Sequence, residues 1–305
     1  MADAREKGEF RSGFVCFVGR PNTGKSTLTN ALVGAKIAIT SSRPQTTRHT
    51  IRGIVHREHA QLILVDTPGL HRPRTLLGQR LNDLVRDTYS EVDVIALCIP
   101  ADEKIGPGDR WIVQQIKQMA PKTTLLGVVT KIDKVSREQI AEQLLAVAQL
   151  LGPEADVVPV SAVRGEQVEV LVDVIASKMP EGPAFYPDGE LTDEPEETLM
   201  AELIREAALE GVRDELPHSL AVVIEEVLPY EDREDMLDVH ALLYVERPSQ
   251  KAIVIGKGGS RLKEVGTNAR KQIEHILGTR IYLNLHVKVA KDWQRDPKQL
   301  GKLGF

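Results

Sequence analysis

The sequence predicts an α/β domain built on a doubly wound, mostly parallel sheet, followed by a smaller α+β domain. Three observations carry this. Between residues 14 and 178, compact apolar runs alternate with stretches of helical spacing, the mark of repeated βα units. A segment rich in acid and proline, 181–200, breaks the alternation. Beyond it lies a shorter set of helical and alternating segments that closes at residue 289. A length of 305 residues suits two domains, and the absence of an internal repeat argues against tandem copies of either.

The elements follow in order. Residues 14–18 form a short apolar run that ends in a glycine loop, and 25–33 have helical spacing that stops at Gly34, a helix cap. The runs 62–65, 92–99 and 125–129 are apolar throughout, as parallel strands buried on both faces must be. Helices are expected near 110–119 and 138–151, the second opened by a capping box of Ser136 and Gln139. Residues 181–200 hold seven acidic residues, no basic ones, and Pro183, Pro187 and Pro195, which reads as an exposed linker. In the second domain, 199–212 and 261–277 read as helices, and 220–227, 237–246 and 281–289 as strands.

Composition narrows the classes. No apolar run approaches the roughly 18–20 residues of a membrane span, and the polar N-terminus is not expected to be a secretory signal. Cys16 and Cys98 each sit inside an apolar run and read as small buried hydrophobes rather than a disulfide or a metal pair. The net charge of −5 hides a split: from residue 251 onward there are 12 basic and 4 acidic residues. A basic end on an acidic chain suggests a polyanionic partner, although a solvated lysine-rich surface would look the same.

Gly19-Arg20-Pro21-Asn22-Thr23-Gly24-Lys25-Ser26 fits GxxxxGK[ST], with Thr27 following. Glycines let backbone N–H groups turn inward onto phosphates, and the lysine neutralises the β and γ charges. The Ser26 hydroxyl is placed to bind Mg²⁺, and the next helix points its positive end at the anion. The bland alternative is an ordinary βα turn, but the pattern arises by chance in roughly one chain of this length in a hundred. Asp66-Thr67-Pro68-Gly69 follows the apolar run 62–65. An aspartate at a strand end can hold the Mg²⁺ shell through water, and a glycine amide there senses the γ-phosphate. Alone, D-T-P-G is equally a surface turn. Between the two motifs, Pro44-Gln45-Thr46-Thr47-Arg48 lies in a polar stretch. A threonine reaching Mg²⁺ only beside the γ-phosphate would order such a loop; Thr47 is the expected ligand and Thr46 the alternative.

Taken together these motifs resemble the translation-factor-like GTPases, and the second domain narrows the resemblance to the Era family of P-loop GTPases. The likeness runs from about Gly13 to the C-terminus. It implies a base-recognition motif, usually N-K-x-D, here Thr130-Lys131-Ile132-Asp133, followed by Ser161-Ala162. Asp133 would pair with the donor edge of guanine and Lys131 would lie along the base. Thr130 replaces an asparagine that normally bonds both base and phosphate loop. Leu70 stands where Ras-like GTPases carry a water-orienting glutamine. Related GTPases with an apolar residue there often use K⁺ held partly by a phosphate-loop asparagine, and Asn22 occupies that place. Slow intrinsic hydrolysis stimulated by K⁺ is therefore expected.

In the second domain Val254-Ile255-Gly256-Lys257-Gly258-Gly259-Ser260-Arg261-Leu262-Lys263 resembles the signature of a type II KH domain. In that fold a GxxG loop clamps the backbone of four nucleotides. Lys257, Arg261 and Lys263 would supply charge, while Val254, Ile255, Leu262 and Val265 are either groove or core. A bare GxxG is weak evidence, since Gly301-Lys302-Leu303-Gly304 is another with no helix after it. Trp293 reads as packing rather than base stacking.

The domains are thus a polar tail 1–12, a GTPase domain 13–180, an acidic linker 181–198, a KH domain 199–290 and a tail 291–305. The resemblance implies GTP and GDP as ligands, Mg²⁺ as cofactor, and binding of the 3′ end of 16S rRNA during maturation of the small (30S) ribosomal subunit. A monomer in the cytoplasm is expected. The alternative is an RNA-binding assembly chaperone whose nucleotide module barely turns over. A membrane-surface GTPase standing on its basic C-terminus lacks an amphipathic helix with exposed aromatics; peripheral association with the cell membrane is a secondary expectation.

Overall fold

A computed structural model describes residues 9–40, 50–68, 75–210, 212, 216–231 and 233–305. The expected ligands Thr46 and Thr47, with Gln45 and Arg48, and the predicted turn residues Gly69 and Leu70 lie outside the described residues. The chain divides into two compact units, residues 1–38, 47–71 and 82–193, and residues 39–46, 72–81 and 194–305.

The first unit contains β1 (Arg11–Val18), α1 (Lys25–Val33), β2 (Ile51–Arg57), β3 (Ala60–Asp66), most of α2 (Leu76–Glu91), β4 (Val94–Pro100), α3 (Pro107–Met119), β5 (Thr124–Thr130), α4 (Arg137–Leu151), β6 (Val157–Pro159) and α5 (Val168–Ser177). Its six strands run in the order β2-β3-β1-β4-β5-β6. Every pairing is parallel except that of β2 with β3. Alternation of side chains divides the strands between two cores. Val15, Phe17, Val94, Ala96 and Cys98 face one layer with Leu28 and Leu171. Cys16, Val18, Ile95 and Leu97 face the other with Ile112, Ile116 and Val147. All seven residues of β4 are buried, so its sequence is apolar without a break. Both cysteines are free and fully buried, and burial pushes each thiol up to about 12.

The caps expected from the sequence are in place. Gly34 ends α1 with φ 78° and its N–H on the Asn30 carbonyl. Ser136 and Gln139 cap the start of α4 reciprocally. The sequence left 51–57 and 76–91 unassigned. Strand β2 carries Arg52, His56 and Arg57 and lies at the sheet edge, so its apolar signal is diluted.

The stretch beginning at 181 is not a free linker. Residues 181–193 belong to the first unit. The Ile54 N–H donates to the Leu191 carbonyl at 2.9 Å, and the buried Gln61 amide holds the Tyr186 carbonyl and the Phe185 and Tyr186 N–H groups. The Phe185 ring lies 5.2 Å from Phe14. Acid and proline suggested solvent, but residues 191 and 192 lie along the outer edge of β2, a protection edge strands need.

The second unit is built from α6 (Glu196–Leu209), α7 (Leu216–Ser219), β7 (Ala221–Tyr230), β8 (Arg233–Val245), α8 (Pro248–Ile255), α9 (Ser260–Leu277), β9 (Arg280–Val289) and α10 (Pro297–Lys302). Strand β8 pairs antiparallel with β7 and parallel with β9. Its core joins Leu203, Ile204, Ala207, Val265, Ala269 and Ile273 of the helices to Val239, Ala241 and Leu243 of β8. Residues 291–305 are folded rather than a tail. Trp293 is fully buried, donates its ring N–H to the Ser219 carbonyl at 2.9 Å and stacks on Phe305. Among the described residues no helix is long and apolar enough to cross a membrane.

Candidate functional site

The phosphate loop joins β1 to α1 at the carboxyl edge of the sheet, where open α/β sheets take their ligands. Gly24, the N-cap of α1, has φ 94° and ψ 13°, a left-handed conformation that a side chain would strain. Asn22 has φ 64°, which asparagine tolerates better than most residues. The Lys25 ammonium is buried and donates to the carbonyls of Gly19 at 3.1 Å and Arg20 at 2.8 Å. Burial pulls its pKa below the ordinary 10.5, and the Asp66 carboxylate opposes the shift. Ser26 Oγ donates to Asp66 Oδ2 at 2.8 Å. A hydroxyl and a carboxylate so placed are the hard oxygen donors that Mg²⁺ takes beside phosphate, so these residues fit the ion. Thr67 is buried, with Oγ1 3.6 Å from Cys16 Sγ, and Pro68 is buried beside it. Thr27 is half-buried and Pro21 exposed.

Arg20 does not extend toward the loop interior. Its guanidinium bonds Asp109 Oδ1 at 2.8 Å and Glu103 Oε2 at 2.9 Å. Asp109 is fully buried and also accepts the Gly106 N–H, at the N-cap of α3, at 2.8 Å. Arg20 therefore offers the loop its backbone while its charge is held by α3 and the turn before it. Asp109 and Glu103 were missed in the sequence; the N-cap spacing from Gly106 to Asp109 was the available signal.

Of the residues expected to recognise the base, Thr130 and Lys131 reach the same loop and Asp133 is bonded to Ser161. Thr130, at the end of β5, donates its hydroxyl to the Thr23 carbonyl at 2.6 Å. Lys131 donates to the Asn22 carbonyl at 2.6 Å. Asp133 Oδ1 accepts the Ser161 hydroxyl at 2.6 Å, and that bond leads the causes holding its carboxyl below the ordinary 3.8. Ser161 is fully buried and Ala162 half-buried. An ionised carboxylate is an acceptor only, the complement of the donor edge of guanine.

The second candidate surface is the loop between α8 and α9. Gly256, Gly258 and Gly259 have φ of 73°, 60° and 79°. A Cβ on Gly256 would lie 2.7 Å from that of Arg261, so this close approach needs glycine. Lys257 and Lys263 are exposed. Arg261 is turned back: its guanidinium donates to the Ala208 carbonyl at 3.3 Å and to that of Glu210 at 2.5 Å, at the end of α6, where a cation is favoured. Val254 and Val265 are core, and Ile255 and Leu262 pack against it. Ile253, passed over in the sequence, is instead 52% exposed on α8.

The chain is 79% identical over 297 residues to the GTPase Era of Mycolicibacterium smegmatis, covering 97% of this chain and 99% of that protein. The chain belongs to the Era family of GTPases. The GTPase Era of Mycobacterium tuberculosis is 74% identical over 298 residues, with the same coverage of both chains. Residues 14–131 match the family described as 50S ribosome-binding GTPase, and 215–294 match the KH domain. A crystal structure of an Aquifex aeolicus Era variant bound to GDP·AlF₄⁻ superimposes with a TM-score of 0.92 at 37% identity, covering 97% of this chain and 99% of that one. An Era structure holding MgGDPNP and nucleotides 1506–1542 of 16S ribosomal RNA gives 0.92 at 38% identity, with the same coverage. The Era-family fold of a P-loop GTPase domain followed by a KH domain is therefore that of this chain. Mg²⁺ accompanies the nucleotide analogue in that second structure, in keeping with the Ser26 and Asp66 pair.

Proposed function

We propose that this Era-family GTPase binds GTP and GDP with Mg²⁺ at residues 19–27, hydrolyses GTP, and binds the 3′ end of 16S rRNA through its KH domain during maturation of the small ribosomal subunit. One observation carries the reading. Over 97% of its length the chain matches an Era structure that holds a GTP analogue and a 16S rRNA segment together.

In this account the N–H groups of the phosphate loop and the Lys25 ammonium neutralise the β and γ phosphates. Ser26 and Thr47 ligate Mg²⁺, and Asp66 holds a water of its shell. Asp133 reads the donor edge of guanine, Lys131 lies along the base, and Ser161 and Ala162 complete the pocket. Lys257 and Lys263 supply charge to RNA phosphates at the loop that begins with Gly256, with Ile253 and Ile255 beside it. Arg261 contributes by fixing that loop to α6. Hydrolysis is slow, because Leu70 cannot orient water, and K⁺ held by Asn22 accelerates it. The protein works as a monomer in the cytoplasm, with peripheral membrane association secondary.

Phosphate release from GTP, measured in K⁺ and in Na⁺ buffers and with Lys25→Ala as control, tests the reading. Turnover is expected in the parent chain, faster in K⁺, and absent in the variant. Equal rates in both salts would remove the K⁺ site; no turnover in either would remove the catalytic role.

A further inference from the structure

We propose that position 130 makes this chain read guanine without a side-chain donor to the acceptor edge of the base, so that affinity is indifferent to the N7 nitrogen. The inference rests on the guanine-binding role proposed for Asp133 and goes beyond it, to how the base is selected.

A threonine hydroxyl carries one proton to donate. Here that proton is committed to the Thr23 carbonyl at 2.6 Å. Thr130 is 3% exposed and Thr23 1% exposed, so the bond is a buried one. The side chain is also held in place by its surroundings. A Cβ on Gly24 would meet Thr130 Cβ and Oγ1 at 3.8 Å, an ordinary contact distance, so the threonine lies beside the turn of the phosphate loop. β-Branching further restricts its χ1. Swinging the hydroxyl toward a base would break a buried hydrogen bond.

The base offers two kinds of edge. Guanine presents N7 and O6 as acceptors, while its ring N–H and exocyclic amine are donors that suit the Asp133 carboxylate. An asparagine amide has two N–H donors, enough to serve a loop carbonyl and a base acceptor at once. Threonine has only one, and it serves the loop. The residue therefore acts as a tether between β5 and the phosphate loop. Discrimination falls to Asp133, whose carboxylate is held by the Ser161 hydroxyl at 2.6 Å.

The test is competition binding on the full chain with Mg²⁺, using GDP, 7-deaza-GDP, IDP and ADP, for the parent protein and for Thr130→Asn. In the parent, 7-deaza-GDP is expected within about two-fold of GDP, while IDP, which lacks the exocyclic amine, binds at least about ten-fold more weakly. In Thr130→Asn the second N–H restores a contact, so 7-deaza-GDP becomes about five-fold weaker than GDP. A loss of five-fold or more on 7-deaza-GDP in the parent chain overturns the inference, and this arm decides even where the variant folds poorly. Equal binding of ADP and GDP would instead remove the guanine reading, and the inference with it.

Discussion

Replacing Asp109 with alanine tests how the phosphate loop is held from outside. The carboxylate is fully buried and makes two bonds, to the Arg20 guanidinium and to the Gly106 N–H, both at 2.8 Å. Loss of the charge-assisted bond costs about 2 kcal/mol. Loss of the acceptor at the start of α3 costs about 1 kcal/mol more. The sum, about 3 kcal/mol, lowers the melting temperature of a unit of this size by about 6–12 °C. Glu103 bonds the same guanidinium at 2.9 Å, but its side chain is 43% exposed, so Glu103→Ala costs only about 0.5 kcal/mol. Asp109→Asn keeps a carbonyl oxygen for Gly106 and falls between the two. The assay is thermal unfolding of the full chain for the three variants, followed by GDP affinity at a temperature where all are folded. Affinity falls in Asp109→Ala, because the Arg20 carbonyl that accepts Lys25 is no longer anchored. Equal losses from Glu103→Ala and Asp109→Ala, or an Asp109→Ala protein that melts with the parent, would show that the buried carboxylate does not anchor the loop.

Three further predictions follow from the same geometry. Ser161→Ala removes the bond that holds the Asp133 carboxyl low; a net hydrogen bond of about 1 kcal/mol predicts about five-fold weaker GDP binding by titration calorimetry. Bound phosphate favours the charged form of Lys25, whose pKa burial has lowered. GDP affinity should therefore hold near neutral pH and decline at alkaline pH, starting below the ordinary lysine value, and a pH series of binding constants checks this. Joint replacement of Lys257 and Lys263 by alanine should weaken RNA binding and reduce the slope of log K against log salt by about 1.4, the share of two single-strand phosphate contacts.

What could be read from the sequence was what is decided locally. Strands buried on both faces, such as β4, leave an unbroken apolar run, and the caps at Gly34 and Ser136 depend on neighbours within four residues. The phosphate loop was legible for the same reason. Partners far along the chain were not. Nothing local announced that Asp109 and Glu103 would hold the Arg20 guanidinium, and Arg261 looked like an RNA contact until the end of α6 claimed its side chain. Residues 181–193 looked like a linker because nothing in their composition announces Gln61. The segment 291–305 looked like a tail because its anchor, Trp293, finds Ser219 across 74 positions. Thr130 is the instructive case. The sequence showed the departure from asparagine, and only the 2.6 Å bond to Thr23 showed where the threonine hydroxyl is committed.

The proposed function joins a guanine-nucleotide switch to recognition of ribosomal RNA on one chain. Its most direct test is the affinity of the full chain for a labelled oligonucleotide matching the 3′ end of 16S rRNA, against a scrambled control, with the protein loaded with a non-hydrolysable GTP analogue or with GDP. Sequence-selective binding, tighter in the GTP-analogue state, is expected. Selective binding of equal strength in both states would contradict the switch, and no selectivity in either state would contradict the RNA assignment.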